Sequence, residues 1–106
     1  MEPLVQHLPA CAVFDAAKMR KVDCFRSARL LAGLNCFEPG QAQAVHTHAD
    51  ADKFYFVISG KASFRVGDEI ATAGAGDLVM APAGVAHGVE RAFERTVVLV
   101  AMAPAP

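Results

Sequence analysis

The feature that most constrains this chain is its punctuation. From about Arg26 onward, short apolar runs are cut at short intervals by glycine and proline. The runs are Ala28 to Phe37, Val45 to His48, Phe54 to Ser59, Ala62 to Val66, Asp77 to Ala81 and Val97 to Ala101; between them lie Pro39-Gly40, Gly60, Gly67-Asp68 and Pro82 to Gly84. No helical period connects them, so strands at this spacing predict an all-β sandwich or barrel. Gly67-Asp68, set between Phe64-Arg65-Val66 and Glu69-Ile70, carries the positive-φ chemistry of a tight hairpin. Residues 1–25 lack a sustained period and contain the breakers Pro3 and Pro9, so they read as a leader able to supply an edge strand to a barrel over 26–106.

The run Lys53-Phe54-Tyr55-Phe56-Val57-Ile58 adds a second constraint. Side chains alternate along a strand, which sets Lys53, Tyr55 and Val57 on one face and Phe54, Phe56 and Ile58 on the other. Neither face is polar enough to be solvated throughout. A strand covered on both sides in so small a domain predicts that an outer sheet face packs on a second copy of the chain, giving a homodimer.

Composition narrows the function classes. The 106 residues, 54% apolar, suffice for one domain with its own core. Ten basic against eleven acidic residues leave a net charge of −1, so charge balance gives no reason to expect nucleic acid or an acidic membrane surface as partner. The longest apolar stretch, Val97 to Ala103, is far short of a membrane span, and Glu2, Asp15 and Lys18 do not suit an export signal. Three cysteines, Cys11, Cys24 and Cys36, are odd in number and form no C-x-x-C pair, which suits the reducing cytoplasm better than a disulfide framework.

Chemistry concentrates in three of the four histidines. They stand in the patterns Gly40-x5-His46-x-His48-x4-Lys53-x6-Gly60 and Gly76-x5-Pro82-x-Gly84-x2-His87. His46 and His48, two apart on a strand, share a face, and His87 arrives from a second strand after a Pro/Gly turn. Three imidazoles so placed cap one side of a metal ion and leave its other positions open, as in a catalytic site. His7 lies outside the pattern and reads as a surface residue.

These motifs resemble those of the cupin superfamily, G-x5-H-x-H-x(3 or 4)-E-x6-G and G-x5-P-x-G-x2-H-x3-N, over roughly residues 30 to 102. The resemblance implies a double-stranded β-helix, or jelly roll, holding a metal or small ligand inside, and commonly a dimer. Two positions depart from it: Lys53 stands where the family has its glutamate ligand, and Arg91 stands where the second motif ends in Asn. Arg91, among Glu90, Glu94 and Arg95, reads as part of a solvated edge. Asp50 or Asp52 could replace the missing carboxylate, but Asp52 would need a register shift that turns Phe54 and Phe56 into the cavity.

An ammonium about 5 Å from a divalent ion is repelled by roughly 6 to 7 kcal/mol at an effective dielectric near 20. Lys53 is therefore neutral, swung away as a rim residue, or sitting in a metal-free pocket. A three-histidine site without carboxylate leaves the ion its full charge and favours anionic or chelating molecules. The ligand set does not choose among iron, zinc, manganese and nickel. The expected function is a metal-dependent enzyme acting on a small molecule, with Lys53 or Tyr55 orienting it; dioxygenase chemistry is implied by family analogy, with isomerisation or zinc-assisted hydrolysis open. The alternative is a noncatalytic ligand-binding or sensory module, with a bare dimerising scaffold as a third possibility. Cys36 and Met80 suit a barrel lining by size and softness.

Overall fold

In the computed structural model, which describes residues 3–106, the punctuated runs become strands. These are β1 (Arg20–Arg26), β2 (Leu31–Phe37), β3 (Gln43–His46), β4 (Asp52–Ser59), β5 (Lys61–Val66), β6 (Glu69–Gly74), β7 (Leu78–Ala81), β8 (His87–Ala92) and β9 (Thr96–Ala103). A single helical turn, α1 (Leu8–Cys11), precedes them. Two antiparallel sheets, ordered β1-β2-β9-β4-β7 and β3-β8-β5-β6, face each other as a double-stranded β-helix. β5 and β6 pair Val66 with Glu69 across Gly67-Asp68, the two-residue hairpin, with Gly67 at φ 59°. Gly60, at φ 88°, also has no room for a side chain, because a Cβ there would collide with the Arg95 carbonyl and Thr96. β1 forms the outer edge of the five-stranded sheet and runs across the 25/26 boundary between leader and barrel.

The sheets bury one apolar core at one end of the interior. Phe37 from β2, Val57 from β4, Phe64 from β5, Val89 from β8 and Val98 from β9 are all within it, with Tyr55 at its margin toward the other end. The alternation read along β4 holds: Lys53, Tyr55 and Val57 are buried inside, while Phe54, Phe56 and Ile58 are half-buried outside.

Outside the five-stranded sheet, two halves differ. Leu8, Cys11, Ala12 and Phe14 of the leader cover Cys24, Leu34, Cys36 and Val97. Cys36 is thus buried beneath the leader on the outer face and does not line the barrel, since β2 turns Phe37 and Asn35 inward instead. Met80 is likewise corrected: it pairs with Phe54 on the outer face and is 52% exposed. Met80, Leu78, Phe54 and Leu30 leave the second half of that face apolar and open.

The other sheet positions the site through an irregularity. Gln43 pairs with Val89 and His46 with His87, so β3 has one residue more than β8 between these pairs. Such a bulge breaks alternation and lets both Gln43 and His46 face the interior. The bulged backbone presses on Gly88, where a Cβ would lie 2.8 Å from the Gln43 carbonyl oxygen and 3.1 Å from Val45. Glycine between His87 and Val89 is what permits this approach.

Candidate metal centre

His46 ends β3, His87 begins β8, and His48 lies two residues past β3, in the loop leading to β4. The expected placement of both His46 and His48 within one strand is therefore corrected for His48; the chain nevertheless brings all three rings together. Ring centroids are 4.9 Å apart for His46–His48, 4.4 Å for His46–His87 and 5.5 Å for His48–His87. One ligating nitrogen from each ring lies within 4.8 Å of the others. Donors about 2.1 Å from a tetrahedral ion sit about 3.4 Å from one another, so closing on an ion takes side-chain rotations of the order of 1 Å.

Tautomers are set by the backbone. His46 Nδ1 donates to the Ala44 carbonyl at 2.9 Å and His87 Nδ1 to the Val85 carbonyl at 3.0 Å. A carbonyl can only accept, so each Nδ1 carries the proton and each Nε2 offers a lone pair, the arrangement that orients metal-ligating histidines. His87, 1% exposed, leaves its Nε2 without a partner among the described residues. Burial holds all three imidazoles below their ordinary pKa, and the charge of Lys53 adds to this. Neutral rings suit a divalent ion, with the His87 Nε2 lone pair free and that of His46 facing Lys53 Nζ.

Lys53 faces inward, 4% exposed, with Nζ 3.4 Å from His46 Nε2 and 4.7 Å from the centre of the Tyr55 ring. It forms no ion pair among the described residues. Burial, then the charge of Lys21, lowers its pKa to about 8. Neither aspartate supplies the absent carboxylate: Asp50 is exposed in the loop, and Asp52 Oδ1 accepts the Ala83 N–H at 2.9 Å. Arg91 and His7 are exposed and away from the triad.

Tyr55 is fully buried, and burial raises its pKa, so it stays a neutral phenol that donates to Gln43 Oε1 at 3.0 Å. Gln43 and Asn35 escaped the sequence reading. Both line a cavity of about 190 Å³ that also touches His46, His48, Lys53, Val100 and Met102. The signal for Asn35 was its polarity within the apolar run before Phe37; that for Gln43 depends on the β3 bulge.

Comparisons with known proteins agree with this architecture. Residues 33–102 match the family model described as a cupin domain. An uncharacterised Streptomyces coelicolor protein is 37% identical over 79 residues, 74% of each chain. Among solved structures, TT1209 from Thermus thermophilus superimposes with a TM-score of 0.92 at 39% identity, covering 96% of this chain and 98% of that one. An RmlC-like cupin from Desulfovibrio desulfuricans does so with a TM-score of 0.87 at 28% identity, covering 97% and 98%.

Proposed function

This chain belongs to the cupin domain family, and from that premise we propose that it is a small metal-dependent enzyme in which His46, His48 and His87 hold one divalent ion beside a bound small molecule. The observation that carries this reading is the convergence of three imidazole nitrogens within 4.8 Å, with two tautomers fixed by backbone carbonyls. When bound, the ion supplies Lewis acidity toward oxygen-bearing ligands. Iron, zinc and nickel suit imidazole donors better than manganese, which prefers oxygen ligands, and the family analogy favours dioxygenase or isomerase chemistry.

The chain's own residues do the rest. Tyr55 acts from behind, holding the Gln43 amide in one orientation. Lys53 Nζ, on the inner face beside His46, is placed to donate to an anionic ligand and to hold or release a proton. The partly open cavity of about 190 Å³ beside the histidines suits a small ligand. Three free cysteines accord with a reducing compartment such as the cytoplasm. The open apolar half of the outer face, with Leu78 at 55% exposure, is the surface on which a second copy would pack as a homodimer; sedimentation as a monomer at micromolar concentration would remove that proposal.

One observation favours a second reading. Lys53 occupies the His46 lone pair that an ion would need, as expected of a noncatalytic module that binds an anion in place of a metal. Calorimetric titration with zinc and nickel separates the two readings. The enzyme reading predicts one site per chain, lost in His48→Ala, and turnover or oxygen uptake by the iron-loaded protein with small chelating acids. Absence of a site overturns it and leaves the anion-binding module.

A further inference from the structure

Lys53 stands where no acid answers its charge. It projects from β4 into the interior, 4% exposed, and forms part of the wall of the cavity beside the histidines. Its Nζ lies 3.4 Å from His46 Nε2 and 4.7 Å from the centre of the Tyr55 ring, and no carboxylate pairs with it among the described residues. Asp23, the sole acidic side chain in that wall among the described residues, lies 3.6 Å from Arg26 Nε. An ion on His46, His48 and His87 therefore adds its charge to those of Lys53 and Lys21, with no free carboxylate to balance them.

An amine so placed can make the missing carboxylate from dissolved carbon dioxide. The lone pair of neutral Nζ bonds to the carbon, one C–O π pair moves onto oxygen, and one N–H proton passes to solvent through the open groove at His46 and His48. Nothing is oxidised or reduced. The product, a carbamate, replaces a positive charge by a negative one, so repulsion of the ion becomes attraction. Distances suit the exchange. Nitrogen and oxygen joined through amide-like bonds stand about 2.2 Å apart. Donors on one tetrahedral ion stand about 3.4 Å apart, the distance already held between Nζ and His46 Nε2. A small rotation thus brings a carbamate oxygen to the open side of the triad, and the His46 lone pair that faced the amine is released to the ion. The added atoms need roughly the room of one water, about 30 Å³, in a cavity of about 190 Å³.

We infer that Lys53 is a modification site, carbamylated at Nζ by carbon dioxide when the triad is loaded, and that its new carboxylate is the fourth protein ligand of the ion. This deepens the function proposed above and rests on it for the metal. Without carbon dioxide the amine keeps the donor role given there. The two events are linked: the factor by which carbamylation tightens the ion is the factor by which the ion favours carbamylation.

Carbon NMR tests it on protein whose lysines carry nitrogen-15 at Nζ, loaded with zinc and equilibrated with carbon-13 bicarbonate. A carbamate carbon is bonded to the labelled nitrogen and its resonance is split, whereas bicarbonate seated directly on the ion gives an unsplit one. One split resonance per chain is expected with zinc, weaker without it and absent in Lys53→Met. In calorimetry at matched pH, bicarbonate should tighten zinc binding to wild type about tenfold over buffer freed of carbon dioxide and leave Lys53→Met unchanged. The zinc-dependent wild-type spectrum keeps the test decisive if Lys53→Met fails to fold. Zinc bound without a split resonance, or bicarbonate tightening both proteins alike, overturns the inference and leaves the three-histidine centre standing. Wild type that binds no zinc in either buffer overturns the metal centre, and the carbamate ligand with it.

Discussion

The two ends of the barrel interior are built from the same strands and opposite chemistry. Along β4 the inward side chains run Val57, Tyr55, Lys53; along β2, Phe37 and then Asn35; along β8, Val89 and then His87. At one end these are aliphatic and aromatic groups in mutual contact. Four residues away, a lysine, two histidine-bearing strands and two amides face one another with unmatched donors and lone pairs. Tyr55 is the boundary, its ring 5.1 Å from Phe64 and its hydroxyl on Gln43. Burial that stabilises the first end is a cost at the second, the usual sign that a site is kept for binding.

Removing a side chain from each end should therefore have opposite effects. Phe64→Ala, in the apolar end, is expected to destabilise the protein by about 3–5 kcal/mol in denaturant unfolding, through lost burial and the cavity left behind. Lys53→Met should instead stabilise the metal-free protein by about 2 kcal/mol at pH 7. The pKa of Lys53 is lowered from 10.5 to about 8, and each unit is worth about 1.36 kcal/mol, less what the contacts to His46 and Tyr55 return. Equal destabilisation by both substitutions would erase the distinction between the ends.

pH sharpens the same contrast. Between pH 8 and 10.5 the unfolded chain binds the Lys53 proton more tightly than the folded one, so wild-type stability should rise with pH across that window and Lys53→Met should not follow. The histidines act in the same direction at lower pH. Their folded-state pKa values are lowered, chiefly by burial, so the metal-free protein should lose stability as pH falls below about 6.5. The smallest effect is expected at the boundary. Tyr55→Phe removes the hydrogen bond to Gln43 Oε1, about 1 kcal/mol in unfolding.

What the sequence disclosed follows from which interactions are local. Strands, the Gly67-Asp68 turn and the sharing of one β4 face by Lys53, Tyr55 and Val57 were legible because turn chemistry and alternation act over a few residues. The histidine triad was legible through its spacing, although His48 proved to lie beyond the strand end. Gln43 was hidden because its direction depends on a bulge formed against β8, more than forty residues away in the chain. Cys36 and Met80 were misplaced for a related reason: alternation says which residues share a face, and only the partner strands and the leader say which face is inside.

The central claim is that three histidines hold one ion despite the lysine among them. Metal per chain, by plasma mass spectrometry on protein purified without chelator, tests it most directly, with Lys53→Glu alongside and His46→Ala as the blank. Close to one divalent ion per wild-type chain and none in His46→Ala is the predicted result. Wild type no fuller than the blank, with Lys53→Glu filled, would contradict it and show that Lys53 keeps the triad free of metal.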